Sequence, residues 1–308
     1  MQQERLKQLI GIGCVNAATL FWASNMVLGR LLKDSIGPIT ISAARFFIAA
    51  LIFAILLQKQ PPEDRRIGKD FWLLFAMAVA GVVLFSPILY LGLHYTTAVN
   101  GTIINGLAPL LTGLFATLVI KEPMSGRQIT GAVLALAGVL FLISGGMLSF
   151  WQTAQFNIGD LIVLGAVALW GLYSVISSRV MRHRSSISAT ALSIFIGLPA
   201  LCLLAVWEVQ SFPVQLDITL ILLTVYLGIV PAAVGFYAWN AGVARLGASG
   251  AMVFYNTLPL YGALLGCLFL DEPVGIPHII GGLLIVCGGI WSARRPTVAS
   301  QQLVGENQ

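Results

Sequence analysis

PLLTGLFATLVIKEP, running from Pro109 to Pro123, returns as PLYGALLGCLFLDEP from Pro259 to Pro273. Each residue of the second copy stands 150 positions after its partner, and the register continues in both directions. Downstream it pairs Ile129 with Ile279, Gly131 with Gly281 and Gly138 with Gly288; upstream it pairs Gly92 with Gly242 and Ala98 with Ala248. Near the start of each half Trp22 pairs with Trp170 at a shift of 148, loops absorbing the difference. A chain that repeats itself over this length is two copies of one structural unit.

Charged residues are 9% of the chain and apolar residues 58%, against roughly 25% and 45–50% in soluble domains. So few charges cannot cover a soluble surface, and with a mean hydropathy of +0.91 the chain reads as a polytopic membrane protein. Apolar segments separated by polar or Pro/Gly breaks fall at 8–30, 38–58, 71–94, 98–120, 126–147, 159–181, 187–208, 218–243, 248–270 and 276–294. Each is close to the roughly 20 residues that cross a bilayer core. The expected fold is all-α, with ten transmembrane helices. A first five-helix repeat covers 8–147, a second 157–295, and 296–308 is a polar cytoplasmic tail. The opening MQQERLKQ reads as the flank of an uncleaved first helix rather than of a signal peptide. A scattered net charge of +5 gives no reason to expect nucleic acid as a partner; the lipid bilayer and a small-molecule substrate are the expected ones. Cys14, Cys202, Cys267 and Cys287 all sit in apolar runs and none forms a CxxC, so no disulfide framework and no zinc site is expected. No cofactor is expected either.

Five spans per half is an odd number, so the second copy enters the membrane with opposite polarity. The basic residues agree. Fourteen of the 17 Lys and Arg fall on the side of the N terminus, Arg30 and Lys33 on the other, and Arg45 within a span. Both termini are therefore expected in the cytoplasm. Lys121-Glu122-Pro123, followed by Arg127, is basic and inside; its copy Asp271-Glu272-Pro273 has no Lys or Arg and is outside. Inverted repeats are a hallmark of transporters, where substrate sits near the midplane between the halves.

The doubled Pro…Glu-Pro…Gln/His-Ile…Gly…Gly pattern, with a Trp in the first span of each half, resembles the EamA-type permeases of the drug/metabolite transporter superfamily. The resemblance covers residues 8 to 295. It implies two inverted five-helix repeats around a central cavity, exporting small metabolites from the bacterial cytoplasm across the inner membrane. Within the superfamily the chain is most similar to the bacterial aromatic amino acid exporters.

Trp72, Trp151, Trp207 and Trp291 lie near span ends, as interface anchors do; Trp22 and Trp170 lie at depth. Trp22 has Asn25 at i+3, and Trp170 has Tyr173 at i+3 and Ser174 at i+4, each on one helical face. As repeat partners the two Trp are expected to face a central axis from opposite sides; the alternative is helix packing with a buried N–H bond. Pro87, Tyr90 and His94 form a stripe on the third span, Asn105, Pro109 and Thr112 one on the fourth, and Tyr255, Asn256, Pro259 and Gly262 one on the ninth. Tyr237 and Asn240 share a face of the eighth. The candidate substrate-binding residues are thus Trp22, Asn25, Tyr90, His94, Asn105, Trp170, Tyr173, Tyr237, Tyr255 and Asn256. Arg45 lies seven residues into its span, a depth that allows snorkelling to the surface or pairing with helix-end carbonyls, and is read as structural.

No Asp or Glu lies deep in any span. The multidrug relatives carry a Glu in the first helix for cations, and the sugar-phosphate relatives need buried Lys or Arg. A net-neutral substrate with an apolar body fits what remains, amino acids first, with a multidrug or a nucleoside/purine exporter as the alternatives. Gly131, Gly138, Gly281 and Gly288 recur at heptad spacing and are read as internal packing, with a monomer as the default and a homodimer as the lesser reading. Gly247-Ala248-Ser249-Gly250 is similar to the nucleophile turn of rhomboid intramembrane proteases, with His278 on the next span. Ser249 and His278 begin their helices at opposite membrane faces, about 25–30 Å apart, so no enzyme is expected.

The topology is directly testable. In a background with the four native cysteines replaced, a cysteine at Gly275 is expected to react with an impermeant maleimide on intact cells, and one at Ser125 only after lysis. Reaction of both from one side contradicts the inverted repeat.

Overall fold

Inside a bilayer the backbone must satisfy its own hydrogen bonds, and helices do this within one segment. The computed structural model describes residues 2–121, 125–144, 146 and 157–293, and among them the chain forms helices and no strand. The first half comprises α1 (Gln2–Leu31), α2 (Pro38–Gln58), α3 (Phe71–Met77), α4 (Phe85–Tyr95), α5 (Ala98–Asn105), α6 (Ala108–Ile120) and α7 (Gly126–Ile143). The second half comprises α8 (Ile158–Val180), α9 (Ser186–Ser211), α10 (Ile218–Leu227), α11 (Gly235–Tyr255), α12 (Leu258–Leu270) and α13 (Ile276–Ala293). Six stretches are long and apolar enough to cross a membrane alone: Arg5–Leu31, Pro38–Gln58, Gly68–Tyr95, Ile158–Val180, Ser186–Ser211 and Ile218–Trp239. The pair α5 and α6, bent by 41°, makes a seventh, and α7, α12 and α13 are shorter apolar helices.

The repeat extends to irregularities of the backbone. α3 and α4 are joined by a π-helical stretch, Ala78–Leu84, and α10 and α11 by its repeat partner, Gly228–Val234. Pro231, which has no N–H to give the helix, stands where the first copy has Gly81. The two non-glycine residues with positive φ among those described are Lys121 (57°) and Asp271 (51°), each ending its helix just before a Glu-Pro pair. The left-handed residue stops the helix. Glu122 and Pro123 lie outside the described residues, as do Trp151 and the tail.

One expected boundary is absent. α4 and α5 are separated at Thr96 and Thr97, and the Thr97 hydroxyl caps α5 by accepting from the Asn100 N–H. The second copy has Gly247 at that place, with no side-chain oxygen to cap a new helix, and α11 continues unbroken to Tyr255. The turn comes at Asn256 and Thr257, opposite the Gly106–Leu107 turn of the first half.

The main helix pairings occur in repeat-related sets: α1 packs on α11 and α12 as α8 packs on α4 and α6, while α2 pairs with α9 and α7 with α13. In the α7–α13 seam a Cβ on Gly138 would lie 2.7 Å from the Gly281 carbonyl, and one on Gly288 2.5 Å from the Gly131 carbonyl. These repeat partners therefore cross antiparallel at backbone contact, the approach that small residues permit. Apolar side chains such as Leu51, Ile55 and Leu203 are exposed on the outer faces.

Gly138→Leu is expected to lower stability by about 1–3 kcal/mol through overpacking, read as a lower thermal midpoint in detergent. Gly165→Ala, where an added Cβ meets nothing within 4 Å, is expected to leave the midpoint unchanged.

Candidate functional site

Trp22 on α1 and Trp170 on α8 meet edge to face, ring centroids 6.0 Å apart and planes at 71°. Phe236 lies 5.8 Å from the first and 6.1 Å from the second, Trp239 5.4 Å from Trp22, and Tyr173 stacks on Trp170 at 5.1 Å. The π-helical stretches make room for these rings. Trp22 Nε1 donates to the Pro231 carbonyl at 3.2 Å, and Tyr173 packs on Gly81, where an added Cβ would lie 2.5 Å from its ring. Next to this layer Tyr255 donates to Asn105 Oδ1 at 2.8 Å. Asn105 and Tyr255 are themselves repeat partners, and equivalent residues of two copies touch where the axis relating them passes.

Two chambers adjoin the aromatic layer and share Trp22, Trp170, Tyr173, Thr190, Phe236 and Tyr255. The larger, about 1570 Å³ including its mouth, extends past Thr112 and Ser174 to Gln128 and Met181, at the end of the bundle where α1 begins. The smaller, about 650 Å³ including its mouth, is lined by Asn25, Arg45, Asn105 and Ser193. Apart from Arg45, neither is lined by an ionised residue among those described.

The far end of the bundle is bonded across the halves. Glu272 accepts from the Ala98 and Val99 N–H groups, both at 2.9 Å, at the start of α5. Glu208 accepts from the Ile39 and Thr40 N–H groups at 3.1 and 2.7 Å, at the start of α2. Asp160 accepts from the Thr96 hydroxyl and from Asn100 Nδ2. At the near end the Asp64 carboxylate accepts from the Ser185 N–H at 3.2 Å, and Asp70 pairs with Arg184 at 2.5 Å.

Of the residues expected from sequence, Trp22, Asn25, Asn105, Trp170, Tyr173 and Tyr255 line one or both chambers. Tyr90 stands behind them, 1% exposed and bonded to Asn25 and Arg45. His94 lines neither chamber; its ring lies 6.2 Å from Phe212 at the far end, and its carbonyl accepts from Arg30. Tyr237 is 59% exposed and outside both. Asn256 is buried beside Gly289 of α13. The side chains of Asn240 and Ser249 lie outside the described residues, and His278 Nδ1 accepts locally from the Gly275 N–H.

Arg45 does not snorkel to the surface. It is 5% exposed, reaches no helix-end carbonyl, and donates to two side chains beside the smaller chamber. Depth counted along a helix does not reveal which neighbours surround a side chain. Trp239, Phe236 and Thr190 were missed as well. For Trp239 the signal was available, since it lies within its apolar run rather than at an end.

The EamA-like transporter family matches this chain twice, over residues 9–144 and 157–294. This chain belongs to that family. The matches coincide with the two halves of the fold, and the chain is a multi-pass membrane transporter of the drug/metabolite transporter superfamily. Similar relatives include the uncharacterized transporters YyaM and YetK of Bacillus subtilis (strain 168). YyaM is 27% identical over 88% of this chain and 89% of its own. YetK is 29% identical over 92% and 87%. A relative from Streptantibioticus cattleyicolor described as a "probable terminal-alkyne amino-acid exporter" is 23% identical over 89% of this chain and 90% of its own. A solved crystal structure at 21% identity shares the fold over 97% of this chain and 99% of its own, with a TM-score of 0.61.

Trp22 tests the packing of the layer. Trp22→Phe keeps an aromatic ring but loses the bond to Pro231, and is expected to cost about 1 kcal/mol. Trp22→Ala, which empties the contact with four aromatic neighbours, is expected to cost about 3–5 kcal/mol. Equal thermal midpoints for the two variants contradict a packed layer.

Proposed function

We propose that this protein exports small metabolites with an apolar body, amino acids and aromatic ones foremost, from the bacterial cytoplasm across the inner membrane. The observation that carries this reading is the aromatic layer itself: two repeat-equivalent tryptophans meet beside two chambers whose polar edge, apart from Arg45, is uncharged among the described residues. An aromatic side chain stacking there gains about 0.5–1.5 kcal/mol per ring pair, and Asn25 and Asn105 offer hydrogen bonds to a polar head. We read the apolar stretches as ten crossings in two inverted five-helix halves with both termini in the cytoplasm. The larger chamber then faces the cytoplasm and the carboxylate-capped end faces outward. Alternating access exchanges this arrangement for its pseudosymmetric counterpart. The amino-acid exporter among the relatives supports the substrate class.

Uptake into liposomes of phenylalanine, tryptophan, threonine, methionine, a nucleoside and a quaternary ammonium dye tests the reading. The amino acids are expected to move, with Trp22→Ala and Trp170→Ala slowing the aromatic ones more than threonine. Preference for the dye or the nucleoside assigns a multidrug or nucleoside exporter instead, and no flux of any solute contradicts the proposal.

A further inference from the structure

Among the described residues one full charge lines the chambers, and its surroundings do not neutralise it. Arg45 Nη1 donates to Asn25 Oδ1 at 2.7 Å and to the Tyr90 hydroxyl at 2.8 Å, both neutral acceptors. Nε is buried without a partner, and no described residue accepts from Nη2. Among the described residues no Asp or Glu forms an ion pair with it. The rings of Phe46 and Tyr90, 5.0 and 5.7 Å from Cζ, are its nearest compensation. A guanidinium cannot shed its proton on burial, so without an anion the cost of desolvation stands. The unbonded Nε–Nη2 edge presents two parallel N–H groups, the geometry that accepts a carboxylate at two points.

The surroundings fit an anion. Asn25 Oδ1 is occupied by Arg45 and by the Tyr90 hydroxyl at 2.6 Å, which leaves its amide nitrogen as a donor beside the guanidinium. Asn105 Oδ1 is likewise occupied by Tyr255. At the shift relating Trp22 to Trp170, the partner of Arg45 is Ser193, which lines the same chamber. Only the first half therefore carries the charge, and a substrate with one charged end is oriented by it.

We propose that Arg45 is the anion-recognition residue of this site and that the transported solutes carry a carboxylate, which pairs with the unpartnered guanidinium edge while the apolar body lies against Trp22 and Trp170. This rests on the reading of the chambers as a transport path. No acidic side chain among the described lining residues answers an ammonium group, so the amino group of an amino acid is dispensable. Aromatic and other apolar 2-hydroxy acids are substrates on the same footing, and amines lacking a carboxylate are not.

Binding to the full-length protein in lipid nanodiscs, measured by calorimetry with phenylalanine, phenyllactate and phenylalaninamide, tests this. The two acids are expected to bind alike and the amide about 10- to 100-fold more weakly, the worth of hydrogen bonds to a charged group. Arg45→Met is expected to weaken the acids by that factor and leave the amide unchanged. Its thermal midpoint should not fall, because an unpaired buried charge is removed and the Tyr90–Asn25 bond does not depend on Arg45. Arg45→Lys, which keeps the charge and loses the fork, should retain a weaker preference for acids. Should Arg45→Met not fold, the wild-type discrimination and the Lys variant decide. Amide binding as tight as acid binding, an Arg45→Met variant that weakens both equally, or no binding of phenyllactate overturns the proposal. Parallel phenylalanine uptake separates the two claims. Uptake without acid preference removes the role of Arg45 and leaves the transporter, whereas Arg45-dependent acid binding without uptake removes the transport path and leaves the site.

Discussion

Hydrocarbon offers no water to complete a broken helix, so every interruption in this bundle needs a partner from elsewhere in the chain. Some of these partners are local caps, as at Thr97, and others come from the opposite half. Glu208 at the end of α9 completes the start of α2, and Asp64, just beyond α2, completes the start of α9. Glu272, just beyond α12, completes the start of α5, and the Pro231 carbonyl of the second π-helical stretch receives the Trp22 indole. The halves are thus joined through backbone groups that neither satisfies alone. Apolar burial cannot do this between helices already in lipid.

The same constraint explains where the cavity lies. Interrupted backbone is tolerated at membrane depth where it is covered by protein or lines a polar space. Both π-helical stretches and the turns after Asn105 and Tyr255 surround the aromatic layer. Symmetry brings repeat partners together there: Asn105 meets Tyr255, Trp22 meets Trp170, and the guanidinium of Arg45 shares a chamber with Ser193. The chambers differ in size although the halves share a sequence pattern. The duplicated unit supplies the frame, and the few residues that break the duplication set the chemistry.

Much of this frame was legible in the sequence. The repeat, the all-helical class, the facing of the two tryptophans and the small-residue seam of α7 and α13 follow from spacing and residue size alone. What was not legible depended on neighbours from the other half. Tyr237 and His94 carry the right chemistry on the right helices, yet neither side chain reaches a chamber, because facing depends on packing that one helix does not specify. Arg45 was read from its depth along α2, whereas its environment is made by Asn25 of α1 and Tyr90 of α4. The missing break at Gly247 has a local cause, the loss of a capping hydroxyl, which comparison with Thr97 in the other copy could have exposed.

The claim on which the account turns is that solutes pass through the layer between Trp22 and Trp170. The most direct measurement is a crystal structure of the protein with 4-bromophenylalanine, read by anomalous scattering. A bromine peak is expected in van der Waals contact with the Trp22 or Trp170 ring, with the ligand carboxylate toward Arg45. A bromine peak confined to the lipid-facing surface, or a bound ligand that touches neither tryptophan, contradicts it.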